Sequence, residues 1–242
     1  WARELGLEPG SNVDMVFDGG KIVVKPQSPS EAEETNIFVE VGHEIETALR
    51  KLIAGYIEGV TKIRIKASYS EVIELSEKLQ EYVPSAIVVA KPGSAYHDIV
   101  FTDYNVGLKD ILDKLATTVL EIFSRLERNT LNDVDKLYQD FIKSYTLCMR
   151  VAKRRIVEGA EQPLDIVDDI VFARYLREIA EMFARDEFES LNNLDPHTIT
   201  LIVDLAKTAI KSYIENNIDT SLRLLEKASP ILRDAATKSS DH

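Results

Sequence analysis

The sequence predicts a multidomain α+β chain: an N-terminal β-hairpin, a small α/β domain and a C-terminal antiparallel helical bundle. Three observations predict it. Apolar and polar residues alternate on both sides of Asp18-Gly19. Short β-type runs then alternate with amphipathic helical runs between 37 and 104. From 105 onward apolar residues recur at i, i+3, i+4 and i+7. The boundaries fall at 1–26 for the hairpin, 27–36 for a polar linker, 37–104 for the α/β domain and 105–242 for the bundle.

Val13, Met15 and Phe17 alternate with polar residues, which makes one strand with one apolar face. Asp18-Gly19 is strong hairpin chemistry, because a tight two-residue turn needs positive φ. Lys21–Lys25 is the return strand, closed by Pro26, with Ile22 and Val24 on the apolar face. A lone hairpin of this size is marginal in water. Its partner is the rest of the chain, a segment before Trp1, or a second chain. The second-chain reading makes Val13, Met15, Phe17, Ile22 and Val24 dimerisation residues and the protein a homodimer.

In the second segment, Ile37–Val41, Thr61–Lys66, Ser85–Ala90 and Asp98–Thr102 are strand candidates. Glu44–Ile57 and Ser70–Tyr82 are helical, with Leu49, Leu52 and Tyr56 on one apolar stripe and Val72, Leu75 and Leu79 on the other. There is no Gly-x-Gly-x-x-Gly and no Walker sequence, so nucleotide binding has no motif behind it. In the third segment, runs from Leu108 to Leu126, Val134 to Ala152 and Pro163 to Phe183 read as long helices. Asp195-Pro196 is an N-cap followed by proline at the first helical position. A fifth helix is expected after Asp219. Long helices with short joins make a bundle.

Composition narrows the function. The chain has 242 residues and a formal net charge of −12, and each of the segments above is net negative. That argues against a protein that coats nucleic acid by bulk electrostatics. One cysteine, Cys148, excludes a disulfide framework and a cysteine zinc site, and fits a reducing, cytoplasmic setting. No apolar run reaches membrane-spanning length, so membrane insertion is not expected. Cys148 lies on the apolar stripe of its helix and reads as a buried, inert thiol. His43, His97, His197 and His242 are scattered and read as cap, loop or tail residues. Nothing supports nucleophilic catalysis, and the chain is not expected to be an enzyme.

Two stretches carry a family resemblance. Trp1-Ala-Arg-Glu-Leu-Gly-Leu-Glu-Pro-Gly10, followed by Val13–Pro26, resembles the second half of an AbrB/SpoVT-type swapped-hairpin domain. In that family two chains interlock hairpins into one small barrel that binds DNA. The resemblance implies that the hairpin is half of such a barrel, and that a first strand with its basic arm precedes Trp1. Asn132-Asp133-Val134-Asp135-Lys136-Leu137-Tyr138 is similar to the D-E-V-D-R-L-Y helix of the PhoU phosphate-uptake regulators. Tyr175–Met182 is similar to that family's Y-L-E-R-I-A-D-H helix. Leu52–Gly59 with Ile63-Arg64-Ile65 resembles archaeal PhoU-like proteins, in which an AbrB-type module, an α/β insert and a PhoU-like bundle follow in that order. The resemblance implies a DNA-binding transcriptional regulator of phosphate homeostasis. The alternative is an adaptor that docks a phosphate transporter ATPase or a sensor kinase through the bundle.

The family holds metal on paired E-x-x-x-D carboxylates. Here the first position is Arg177, the last is Glu181, and the family histidine is Met182. Asp133, Asp135, Asp140, Glu178 and Glu181 remain candidate ligands for a divalent or iron-type ion, an all-oxygen set suited to hard cations. The simpler reading is solvated helix faces. Arg150, Lys153, Arg154 and Arg155 form a basic cluster, read either as a docking patch for an anion or acidic partner or as charges favoured at a helix C-terminus. Asp165, Asp168 and Asp169 open the next helix, where the dipole favours acids.

Overall fold

A computed structural model describes residues 13–18, 21–26, 37–41, 44–102, 105–128, 134–159, 163–184, 196–215, 217 and 223. The chain is mixed α+β, and six helices and two sheets lie among these residues. Spatial contact groups residues 1–108 with 145–171 as one unit, and 109–144 with 172–242 as a second. That grouping does not follow chain order, and each unit is taken separately below.

The first unit begins with β1 (Val13–Asp18) and β2 (Lys21–Pro26), an antiparallel ribbon. Its register sets Val13 opposite Pro26, Met15 opposite Val24 and Phe17 opposite Ile22. The five apolar positions expected to share a face do so by register. The alternate register positions pair Asp14 with Lys25, Val16 with Val23 and Asp18 with Lys21. The turn at Gly19 and the segment before Val13 lie outside the described residues.

A second sheet contains β3 (Ile37–Glu40), β4 (Lys62–Lys66), β5 (Ala86–Val89) and β6 (Tyr96–Phe101), in the order β3-β4-β6-β5. β3 and β4 are parallel and are joined by α1 (Ile45–Ile57); the other neighbours are antiparallel. α2 (Tyr69–Gln80) links β4 to β5. β6 starts two residues before the expected Asp98, because Tyr96 and His97 pair with Lys66 and Ile65.

Period-two alternation places one side of this sheet in the core. Val39, Ile63, Ile65, Ile99 and Phe101 are buried against Leu49, Leu52 and Tyr56 of α1 and Val72, Leu75 and Leu79 of α2. Full burial of each aliphatic side chain contributes roughly 1.5–3 kcal/mol. The opposite side of β4 presents Lys62, Arg64 and Lys66, which meet Asp98 and Glu40 in ion pairs. Arg64 Nε lies 3.0 Å from the Asp98 carboxylate and holds it below the ordinary carboxylate range.

α2 starts with a reciprocal cap. Ser68 Oγ accepts from Glu71 N–H, and Ser68 N–H donates to the Glu71 carboxylate at 2.6 Å. α1 stops at Gly59, whose φ of 91° suits glycine. Val60 N–H donates to Gly55 O and Gly59 N–H to Tyr56 O, the paired bonds of a Schellman ending.

α3 (Leu108–Glu127), α4 (Val134–Glu158), α5 (Pro163–Ala184) and α6 (Pro196–Ile214) make the long helical part. In the second unit the apolar stripe of α3 is buried from Ile111 through Leu115 and Val119 to Phe123. Phe141, Leu176, Val203 and Ile210 are buried there too, and Phe172 of α5 stacks on Tyr213 of α6 with centroids 3.7 Å apart. In the first unit, Cys148, Val151 and Ala152 of α4 and Ile166 of α5 are buried. The helix expected after Asp219 lies outside the described residues.

Candidate functional site

The end of the sheet where β3 and β4 run out carries an open cleft of about 590 Å³. Such crevices beyond the carboxyl ends of parallel strands are a common place for ligands. Glu40, Lys66, Ser68, Tyr69, Glu71 and Ser94 supply its polar lining. Lys66 Nζ lies 2.9 Å from Glu40, and that hydrogen bond holds the ammonium protonated above its ordinary range. Ser68 and Glu71 are engaged in the helix cap, and Ser94 Oγ bonds the backbone of Tyr96. The cleft can offer one ion pair and the exposed Tyr69 to a polar molecule. Among the described residues its lining holds neither histidine nor cysteine.

Its wall is fixed by His97, which is 1% exposed on β6. Lys91 N–H donates to His97 Nδ1 at 3.1 Å, so Nδ1 is the acceptor nitrogen. Nε2 therefore carries the proton and donates to Ala67 O at 3.2 Å. Lys91-Pro92-Gly93-Ser94 closes a turn with Ser94 N–H on Lys91 O, and φ of 76° at Gly93 meets the glycine requirement of type II. His97 thus ties this turn to the junction between β4 and α2. It is neither a cap, a loop nor a tail residue. The signal in the sequence was its alternation with Ile99 and Phe101.

The basic cluster is not exposed as one patch. Arg150 is 4% exposed; its guanidinium donates to Tyr56 O and, at 3.1 Å, to Val60 O, and lies 4.6 Å from the centroid of the Tyr56 ring. A docking role requires an exposed cation, and Arg150 is instead the anchor of the α1 ending. Lys153 reaches Glu58 at 3.1 Å, again at the end of α1. Arg154 pairs with Glu158 on its own helix, and Arg155 is half-buried.

The described carboxylates expected as metal ligands face solvent or pair with a cation on their own helix. Asp135 and Asp140 are exposed on α4, and Asp140 pairs with Lys143. On α5, Glu178 pairs with Arg174 at 3.2 Å and Glu181 with Arg177 at 3.7 Å. Asp133 lies outside the described residues. Among the described residues no group of three or more metal-capable side chains gathers.

Cys148 is fully buried, and burial pushes its thiol up to about 12, with Asp169 adding to the shift. A raised thiol pKa disfavours the reactive thiolate in the folded chain. The stabilisation from keeping the thiol neutral is whole below the unfolded value of 9.0 and is lost as pH rises toward the folded value. A thiol-reactive disulfide reagent at pH 8 should label Cys148 only after denaturant is added. Labelling of the native chain at the rate of a free thiol would show that this pocket opens.

No protein-family model, curated protein or solved structure matches the chain. Among the described residues no helix is long and apolar enough to cross a membrane.

Proposed function

We propose that the chain is a non-enzymatic, PhoU-like regulator of phosphate uptake, dimerised through its N-terminal hairpin. The observation that supports this most is the hairpin register. It collects Val13, Met15, Phe17, Ile22 and Val24 on one face of a two-stranded ribbon that pairs with no third strand among the described residues. A swapped-hairpin barrel buries such a face against a second chain. In this reading DNA contact does not rest on the net charge of the ribbon, since Asp14 and Asp18 balance Lys21 and Lys25. The helical part supplies the regulatory surface. A metal on the α4 and α5 carboxylates is the element of the resemblance with least geometric support.

Deleting the gene should change phosphate uptake by its host when phosphate is abundant, and the protein should retard duplex DNA from the affected promoters at low salt. That retardation should weaken steeply toward ~150 mM salt, since affinity rests on phosphate neutralisation. Unaltered uptake would overturn the proposal. The adaptor reading draws on exposed apolar residues at the start of α5, where Leu164, Val167 and Val171 face solvent. Recovery of a transporter ATPase with the protein, and no DNA retardation, would establish it instead.

A further inference from the structure

The turn from Lys91 to Ser94 is a lightly held part of the first unit. Lys91, Pro92, Gly93 and Ala95 are exposed, and Ser94 is half-buried. Its internal bonds are local: Ser94 N–H closes on Lys91 O, and Ser94 Oγ bonds the backbone of Tyr96. It is fastened to the sheet through Ala95 O, which accepts from Ala67 N–H at 3.1 Å, and through Lys91 N–H, which donates to His97 Nδ1 at 3.1 Å. A segment with so few buried contacts opens at lower cost than the sheet behind it.

The second fastening depends on charge state. Nδ1 accepts only while the ring is neutral, because both nitrogens of an imidazolium are donors. A proton on Nδ1 sets two N–H groups against each other where a hydrogen bond stood. His97 is 1% exposed, so the cation gains little from solvent while the turn stays in place.

The charged groups around the ring are engaged elsewhere. Along β6, Tyr96 and Asp98 alternate to the opposite side of the sheet, where Arg64 and Lys62 of β4 hold Asp98. The Lys91 ammonium acts on Asp98 as well, and Lys66 of β4 pairs with Glu40 of β3. β5 carries no charge from Ala86 to Val89. α2 turns Val72, Leu75 and Leu79 inward; its Glu71 accepts from Ser68 N–H, and Glu74 and Glu77 are exposed.

We propose that His97 is an acid-released latch: a proton taken up from solvent at Nδ1 frees the turn from the sheet and moves one wall of the cleft. The latch is whole while the ring is neutral. It is lost as pH falls below about 6.5, where a histidine freed of this contact takes up its proton. Gly93, Ser94 and Ala95 line the cleft, so its shape follows pH while Ile63, Ile65 and Ile99 stay packed in the core. This regulation is independent of the hairpin and of any role in phosphate uptake.

Amide exchange in the full chain, followed by residue from about pH 7.5 to about pH 5, tests the latch. Release coupled to one proton should lower the protection of the Lys91 amide about tenfold per pH unit below ~6.5. Protection at Ile63 and Ile65 should stay constant, and the Gly93 and Ala95 amide resonances should shift with the Lys91 midpoint. In His97→Asn the side-chain oxygen can accept from Lys91 N–H and takes up no proton in this range, so protection at Lys91 should not vary with pH. If that variant does not fold, the His97 ring resonances of the parent carry the assignment, and their midpoint should match that of Lys91. Constant protection at Lys91 in the parent overturns the proposal. So does a loss shared by Ile63 and Ile65, which is acid unfolding of the whole sheet. A pH dependence that survives in His97→Asn, or a ring midpoint apart from that of Lys91, assigns the release to another group and overturns it too.

Discussion

Arg150→Ala should lower the free energy of unfolding by about 3 kcal/mol, because it leaves buried carbonyls without their charged donor. The reasoning starts at the end of α1. A helix C-terminus leaves four carbonyls without intrahelical donors. The Schellman bonds from Gly59 and Val60 satisfy those of Tyr56 and Gly55. Arg150 then adds a second bond to Tyr56 O and takes Val60 O, with its cation against the Tyr56 ring. A planar fork with several N–H groups suits two carbonyls and an aromatic face at once. Arg150→Lys keeps the charge and loses the fork, so it should recover less than half of the loss. Urea denaturation of both variants measures this. A cycle with Tyr56→Leu should show coupling of about 1 kcal/mol. An alanine variant within about 0.5 kcal/mol of the parent, the range of ordinary surface changes, would mean that Arg150 is not an anchor.

His97→Ala should cost about 2 kcal/mol by the same logic applied to a neutral side chain. It removes the acceptor of Lys91 N–H and the donor to Ala67 O, and it opens space beside the junction of β4 and α2. The local readout is amide exchange at Lys91, which should lose protection while amides of Ile63 and Ile65 in the sheet centre keep theirs. Unchanged exchange at Lys91 would mean that the His97 contact does not hold the turn. Because that turn forms one wall of the cleft, the variant also asks whether the cleft keeps its shape without this tie.

The elements were largely legible because their signals are local. Alternation around Asp18-Gly19 marked the two strands of the ribbon, and the register adds that Met15 pairs with Val24 and Phe17 with Ile22. The stripes Leu49, Leu52, Tyr56 and Val72, Leu75, Leu79 fixed α1 and α2. The candidate site was much less legible. Arg150 looks like one of four exposed cations when read along α4, and its partners are backbone carbonyls that carry no sequence signature. His97 looks like a loop residue until Lys66 is seen to pair with Tyr96. The carboxylates of α4 and α5 share helical spacing with cations that pair with them locally, so spacing alone could not separate a ligand set from a solvated face. What the sequence hides is the long-range partner, and that is where burial turns a surface charge into a structural one.

The Arg150 contact also sets an order of events during synthesis. Tyr56 and Arg150 are separated by 94 positions, and residues 145–171 belong to the same unit as residues 1–108. A ribosome that has released the sheet and both of its helices has not yet released the donor that completes α1. The nascent domain must hold its shape with that end unfinished until α4 emerges, and closing so long a loop draws on chain entropy. A fragment cut at residue 104, where the sequence places its boundary, would be frozen in that unfinished state. The α/β domain is a unit in space that the chain visits twice.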